Sequence, residues 1–221
     1  MVDRHLQLPS KKGMESAYEE AIKLAREQLS RLDIEKQCQN CGARYQIKGS
    51  NRLVFIEYLN KPCVINLSNF EISQSDSNET IPIKSQILIL HYLAQAKGTS
   101  PTNKLVSIKE LPDGRNYSPT FSKRAINPIV NNFSNEPDRL IEAAEYFGGY
   151  KADYGDAAIT INAFSRVPIT IAIWQGDDEF SPTGNVMFDA NISDYLSTYD
   201  IIELCENIAW SLVRSYRQSG K

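Results

Sequence analysis

Apolar residues recur at three-and-four spacing from Met14 onward. Ala17, Ala21, Leu24, Ala25, Leu29 and Leu32 share one side of a predicted helix, and Glu15, Glu19 and Glu20 sit where the helix dipole favours acids. Gly42 is its natural C-cap. Residues 45–48, 53–59 and 63–67 then read as three short strands with turns at Gly49–Asn51 and Asn60–Pro62, a meander of antiparallel hairpins. Residues 68–80, rich in Ser, Asn, Asp and Gln, read as an exposed loop.

A second helix is predicted over about 83–97, stopping at Gly98, with Ile83, Ile87, Leu90, His91 and Ala94 on its apolar face and Tyr92 on another. A strand over 105–108 leads to Leu111–Tyr117, where Asp113 and Gly114 signal a turn. Two modest helices follow, roughly 119–132 and 137–147. Runs of alternating β-branched residues at 157–164 and 167–174 form a strand pair. A polar connection from Gln175 to Asn185 precedes a short strand at 186–189. The final helix, about 199–217, carries Ile202, Cys205, Ile208, Ala209 and Leu212 on one side. Because strands and helices come in groups, the pattern predicts an α+β fold, a mostly antiparallel sheet with helices packed on it. Residues 1–13 read as a polar leader and 14–221 as a single domain, which the length of 221 residues supports.

Composition narrows the class. The chain is 42% hydrophobic and 23% charged, which excludes collagen, coiled coil and wholesale disorder. No apolar run approaches the ~18–20 residues of a membrane span, and Asp3, Arg4 and His5 stand where a signal peptide would be apolar, so no membrane partner and a cytoplasmic location are predicted. The net charge of −3 conceals a segregation. Val167–Val213 contains eight acids and no Lys or Arg, which leaves 24 basic residues against 19 acids elsewhere. This acidic third, with no basic run interleaved with aromatics, argues against nucleic acid. It reads either as a solvated face or as an interaction module for a basic partner.

Three stretches carry a family resemblance: Ile87–Leu93, Glu110–Tyr117 followed by Phe121, and Pro168–Phe180 with Phe188 and Asp189. In order and spacing they resemble the prokaryotic family called domain of unknown function 3786, from about residue 42 to about 217. The family has no settled activity. Its members occur largely in anaerobes, and some are joined to an iron-sulfur module similar to that of corrinoid proteins. The resemblance therefore implies corrinoid or redox metabolism, with a separate redox or corrinoid-metabolism protein as partner, because no four-cysteine module precedes the matching stretch.

Candidate chemistry is sparse. Cys38 and Cys41 form a C-x-x-C to which Cys63 adds a third thiol, so they read as plain thiols, as ligands of an iron-sulfur cluster or zinc, or as a disulfide. A fourth ligand is not visible, since Cys205 lies in an apolar stripe. His91 reads either as a core histidine bonded to a backbone group or carboxylate, or as an axial ligand to a corrinoid (cobalamin) or haem. Asp177, Asp178 and Glu179 follow Trp174 at a strand end, where Asp189 can return to join them as hard-cation ligands. Alternatively Gly176 and Asp177 make the turn, Asp178 caps it and Glu179 pairs with Arg115 or Arg124. Arg115 and Tyr117 project from the Asp113–Gly114 turn, suited to a carboxylate or phosphate. The first functional expectation is thus a corrinoid or tetrapyrrole carrier with His91, Arg115, Tyr117, Trp174, Asp178 and Glu179 around the cofactor. The second is a metal or redox module at Cys38, Cys41 and Cys63, and the third an acidic interaction protein. An enzyme is least supported, since no nucleophile sits beside a recognisable base.

Overall fold

Asp33 decides how the chain begins to fold. Its extended backbone and a side chain that accepts from the Lys36 N–H at 3.2 Å make it an N-cap. The single N-terminal helix expected from spacing is therefore two, α1 (Lys11–Ser30) and α2 (Ile34–Cys41). Leu32 continued the apolar spacing across the break and hid it. A computed structural model describes residues 11–75 and 80–219, so residues 1–10 of the predicted leader, His5 included, lie outside the described residues, while α1 takes up residues 11–13. α2 ends as expected at Gly42, whose φ of 70° is left-handed, and the Ala43 N–H returns to the Cys38 carbonyl at 2.8 Å.

The meander follows as β1 (Arg44–Lys48), β2 (Asn51–Tyr58), β3 (Lys61–Asn66) and β4 (Glu71–Gln74), an antiparallel sheet in that order. β4 falls in the expected loop, because Ile72 is its one buried residue and no alternation shows. The β2–β3 turn is Leu59–Asn60, both with positive φ, as a two-residue hairpin turn demands. The Leu59 N–H donates to the Ala163 carbonyl at 3.0 Å and so ties this sheet to the second one.

That second sheet has the order β5-β9-β8-β7-β6, built from β5 (Leu105–Ser107), β6 (Tyr150–Ala152), β7 (Ala157–Phe164), β8 (Val167–Trp174) and β9 (Thr183–Asp189), again antiparallel throughout. The fold is the expected α+β single domain, with two sheets where one was anticipated. Its helices are α3 (Ile83–Gln95), α4 (Gly114–Phe121), α5 (Asn127–Phe133), α6 (Asp138–Glu145) and α7 (Thr198–Ser219). A π-helical turn at Ser122–Ile126 joins α4 to α5 in one near-continuous rod. α5 meets β8 and β9, α6 meets β7, and α7 packs against α3, α4, α5 and α6. Among the described residues no helix is long and apolar enough to cross a membrane.

α3 sits where these parts meet, touching α1, α2 and α7. Buried on several sides, it shows no single stripe. Leu88, Ile89, Leu90, Tyr92 and Leu93 are fully buried, whereas Ile83 is exposed and Ile87 and His91 are half-buried. The expected face is thus buried only in part, at Leu90 and Ala94. Tyr92, assigned elsewhere, stacks on Phe164 with centroids 4.1 Å apart, a pair worth roughly 0.5–1.5 kcal/mol beyond its buried area. Its hydroxyl donates to the Cys41 carbonyl at 2.7 Å and accepts from the Arg166 N–H at 3.2 Å.

Candidate functional site

His91 is held by a carboxylate. Nδ1 lies 2.7 Å from Asp200 Oδ1, and the other Asp200 oxygen accepts from Ser197 Oγ at 2.6 Å and from the Ser197 N–H at 3.3 Å. The Asp200 N–H returns to Ser197 Oγ at 3.2 Å, which closes a reciprocal cap on α7. Burial works to raise the Asp200 carboxyl, but the His91 bond and charge and the Ser197 donors outweigh it and hold the group below its usual range. With Nδ1 engaged, only Nε2 is left to a ligand.

Of the other five residues expected beside His91, Arg115 and Tyr117 lie by the start of α7, where Asp200 holds His91, and Trp174, Asp178 and Glu179 lie away from it. The α4–α5 rod lies parallel to α7. Thr198 Oγ1 donates to the Pro112 carbonyl at 2.7 Å, Arg124 bonds Glu203 and Glu206, and Arg217 donates to Asn132 Oδ1 at 3.2 Å. Arg115 and Tyr117 sit on α4 near the start of α7. They project from a helix and not from a turn, because the turn is Pro112–Asp113, closed by the Gly114 N–H on the Leu111 carbonyl, and α4 already begins at Gly114. Trp174, Asp178 and Glu179 belong to the far end, where residues 175–182 border Ser134 and Asn135 after α5. Residues 114–133 at ~1.5 Å rise separate the two ends by about 30 Å.

The acidic motif is a turn. Asp177 Oδ1 accepts from the Glu179 and Phe180 N–H groups at 2.9 and 2.7 Å, so Asp177, and not Asp178, caps it. Asp178 and Glu179 are exposed, and Arg124 pairs with Glu203 and Glu206 in place of Glu179. Asp189 does not return to this turn. β9 runs antiparallel to β8 with Trp174 opposite Thr183, so Asp189 lies at the opposite edge of the sheet, where it accepts from the N–H groups of Thr102, Asn103 and Asn191. Five of the eight acids of 167–213 are engaged inside the fold. Asp189 holds that loop, Asp194 meets Lys97 at 2.8 Å, Asp200 meets His91, and Glu203 and Glu206 meet Arg124 and Lys84.

The cysteines are buried free thiols. Burial pushes Cys38 up to about 12 and Cys41 and Cys63 up to about 11, which keeps the metal-free thiols protonated near neutral pH. Cys41 Sγ is 3.5 Å from the Cys38 carbonyl, whereas Cys63 lies on β3 opposite Ile56. Among the described residues no three His, Cys, Asp or Glu side chains form a group fit for a metal ion.

A groove over α7 went unread in the sequence. One stretch, about 470 Å³, is bounded by Tyr58, Cys63, Ser85, Phe147, Asn207 and Arg214. A second, about 560 Å³, shares Lys61, Phe147, Ser211 and Arg214 with it and adds Tyr146. A third, about 380 Å³, continues past Ser85, Asn207 and Arg214 to Tyr18, Glu203 and Trp210. In the middle, Asn207 Nδ2 donates to Tyr58 OH at 2.6 Å and to Ser85 Oγ at 3.1 Å. Burial raises the Tyr58 phenol to about 12 despite these bonds. No sequence pattern marked the groove, because β2, α3 and α7 each carry several other polar and charged residues.

The family model described as Domain of unknown function (DUF3786) matches residues 33–210. The chain belongs to the DUF3786 family. No curated protein and no solved structure matches it. The DUF3786 match opens at Asp33, the cap that starts α2, and takes in His91, Asp200 and the Tyr58, Ser85 and Asn207 cluster. Ser211 and Arg214, on the last turns of α7, follow it.

Proposed function

We propose that this chain is a binding or carrier protein that takes a small organic molecule in the groove over α7. The observation that supports the reading is the Tyr58–Asn207–Ser85 cluster, three hydrogen-bonded polar side chains from three elements set in a groove with apolar walls at Leu59, Ile81 and Phe147. Few convergent polar groups within an apolar concavity of several hundred Å³ is what small-ligand recognition uses. The test is a ¹⁵N NMR titration with octanol and octanoate. Binding is expected to move the Asn207 side-chain amide and the backbone amides of Ser85 and Ser211, and to be lost in Asn207→Leu. Shifts confined to other surfaces would overturn the reading.

A second reading keeps His91 as ligand to a corrinoid or haem. Asp200 favours it, because a carboxylate on Nδ1 orients an imidazole and strengthens Nε2 as a donor. Of the remaining residues, Arg115 and Tyr117 are exposed on α4 near the start of α7, while Trp174, Asp178 and Glu179 lie at the other end of the rod. Absorption spectra with added haem or cobalamin separate the two readings. A perturbed band abolished by His91→Ala would favour the second. Iron or zinc retained by the purified protein and lost in Cys38→Ser would instead favour the cysteine module. A basic protein docking on the acidic third has least support, given how many of those acids are already paired.

A further inference from the structure

We infer that the ligand of the α7 groove is an amphipathic organic anion whose charged head is received at Arg214; this rests on the groove reading above. Arg214 borders all three stretches of the groove. In the two stretches between α7 and the β2–β3 turn, the charged side chains among the described lining residues are Lys61 and Arg214, both cationic. Among the described residues no carboxylate lines these two stretches. Arg214 donates to Ser211 Oγ at 2.9 Å, a neutral hydroxyl one turn back, and among the described residues it forms no ion pair.

The contrast with neighbouring cations is informative. Arg124 and Lys84, also directed at α7, are held by Glu203 and Glu206. A planar guanidinium left to a hydroxyl offers its remaining N–H groups in the fork geometry that suits carboxylate or phosphate oxygens. Ser211 lines the same stretches and supplies a further polar group beside that head. Leu59, Ile81 and Phe147 provide the apolar wall for a tail, and Asn207 and Tyr58 a polar stop partway along.

The experiment is an NMR titration of the full chain with three eight-carbon probes: octanoate, octyl phosphate and octanol. Octanoate or octyl phosphate is expected to bind at least about tenfold more tightly than octanol, a difference of ~1.4 kcal/mol. In Arg214→Gln that preference is expected to vanish, with the amide spectrum away from the groove unchanged. Whichever anion binds more tightly identifies the head as carboxylate or phosphate. Equal binding of octanol and both anions, or a preference that survives Arg214→Gln, would overturn the anion inference and leave the groove reading in place. Absence of groove shifts with all three probes would overturn both.

Discussion

His91 and Asp200 are 109 residues apart in sequence, yet they meet at 2.7 Å, and the same carboxylate closes the cap on α7. One side chain thus fixes both the start of α7 and its seat against α3. Asp200→Asn is expected to cost about 1.5–3 kcal/mol at pH 7, the range for hydrogen bonds to a charged group. The carboxyl lies below its ordinary value in the native state, so its contribution is full above the unfolded value of ~3.9 and is lost as pH falls through the lower native one. Urea unfolding of both proteins at pH 7, 5 and 3 should show the gap narrowing only at the lowest pH. A gap of constant size would mean that the charge of Asp200 contributes nothing.

The buried thiols predict the opposite pH response. Cys38, Cys41 and Cys63 are raised by burial from 9.0 to between about 11 and 12. Below about pH 9 the thiols are neutral in both states and this contribution is intact. Above it the unfolded chain ionises first and stability falls. At pH 8 an aromatic disulfide reagent should modify them at the slow rate of native-state opening and promptly in urea, with added zinc changing neither rate. Prompt modification of the folded protein would show the thiols to be accessible.

Arg124 is the hub of an ion-pair network with Glu203, Glu206 and, through them, Lys84. Burial works against both Arg124 and Glu203, and their mutual bonds outweigh it, raising the arginine and lowering the glutamate. Arg124→Met leaves two partly buried carboxylates facing each other and should cost about 1–3 kcal/mol. Moderate salt should recover part of that loss by screening the repulsion. Thermal unfolding at low and high ionic strength checks both statements.

Two glycines should respond very differently to Ala. A Cβ on Gly114 would lie 1.7 Å from the Ile108 carbonyl oxygen, so α4 must shift, at a cost of about 3 kcal/mol or more. Gly49 has nothing within 4 Å, and its φ of 63° costs only the roughly 1–2 kcal/mol of a left-handed alanine. Paired melting curves would test this, and comparable losses would contradict the close approach at Gly114.

The fold was legible where periodicity has one cause. β7 and β8 bury nearly every residue, and Gly42 ends α2 with the conformation its chemistry suggests. Spacing failed where two causes overlap. Leu32 kept the helical rhythm across a break that Asp33 imposes, and α3, buried on several sides, has no stripe to read. The candidate residues were legible as chemistry and not as neighbours. Trp174 and His91 each carry a recognisable group, but the length of the α4–α5 rod lies between them. Asp189 satisfies a loop at the opposite sheet edge from Asp177. Asn207 is one of several polar residues on α7, and its place in the groove depended on Tyr58 and Ser85 arriving from two other elements.

α7 packs against α3, α4, α5 and α6, and it carries the acids that answer Lys84 and Arg124 and the carboxylate that seats His91. All of those elements precede it. During synthesis four helices and their cations therefore leave the ribosome before their counterpart exists, and the nascent chain must be kept from self-association until the α7 sequence follows. A chain cut before Thr198 is for the same reason expected to aggregate and not to form a smaller stable unit.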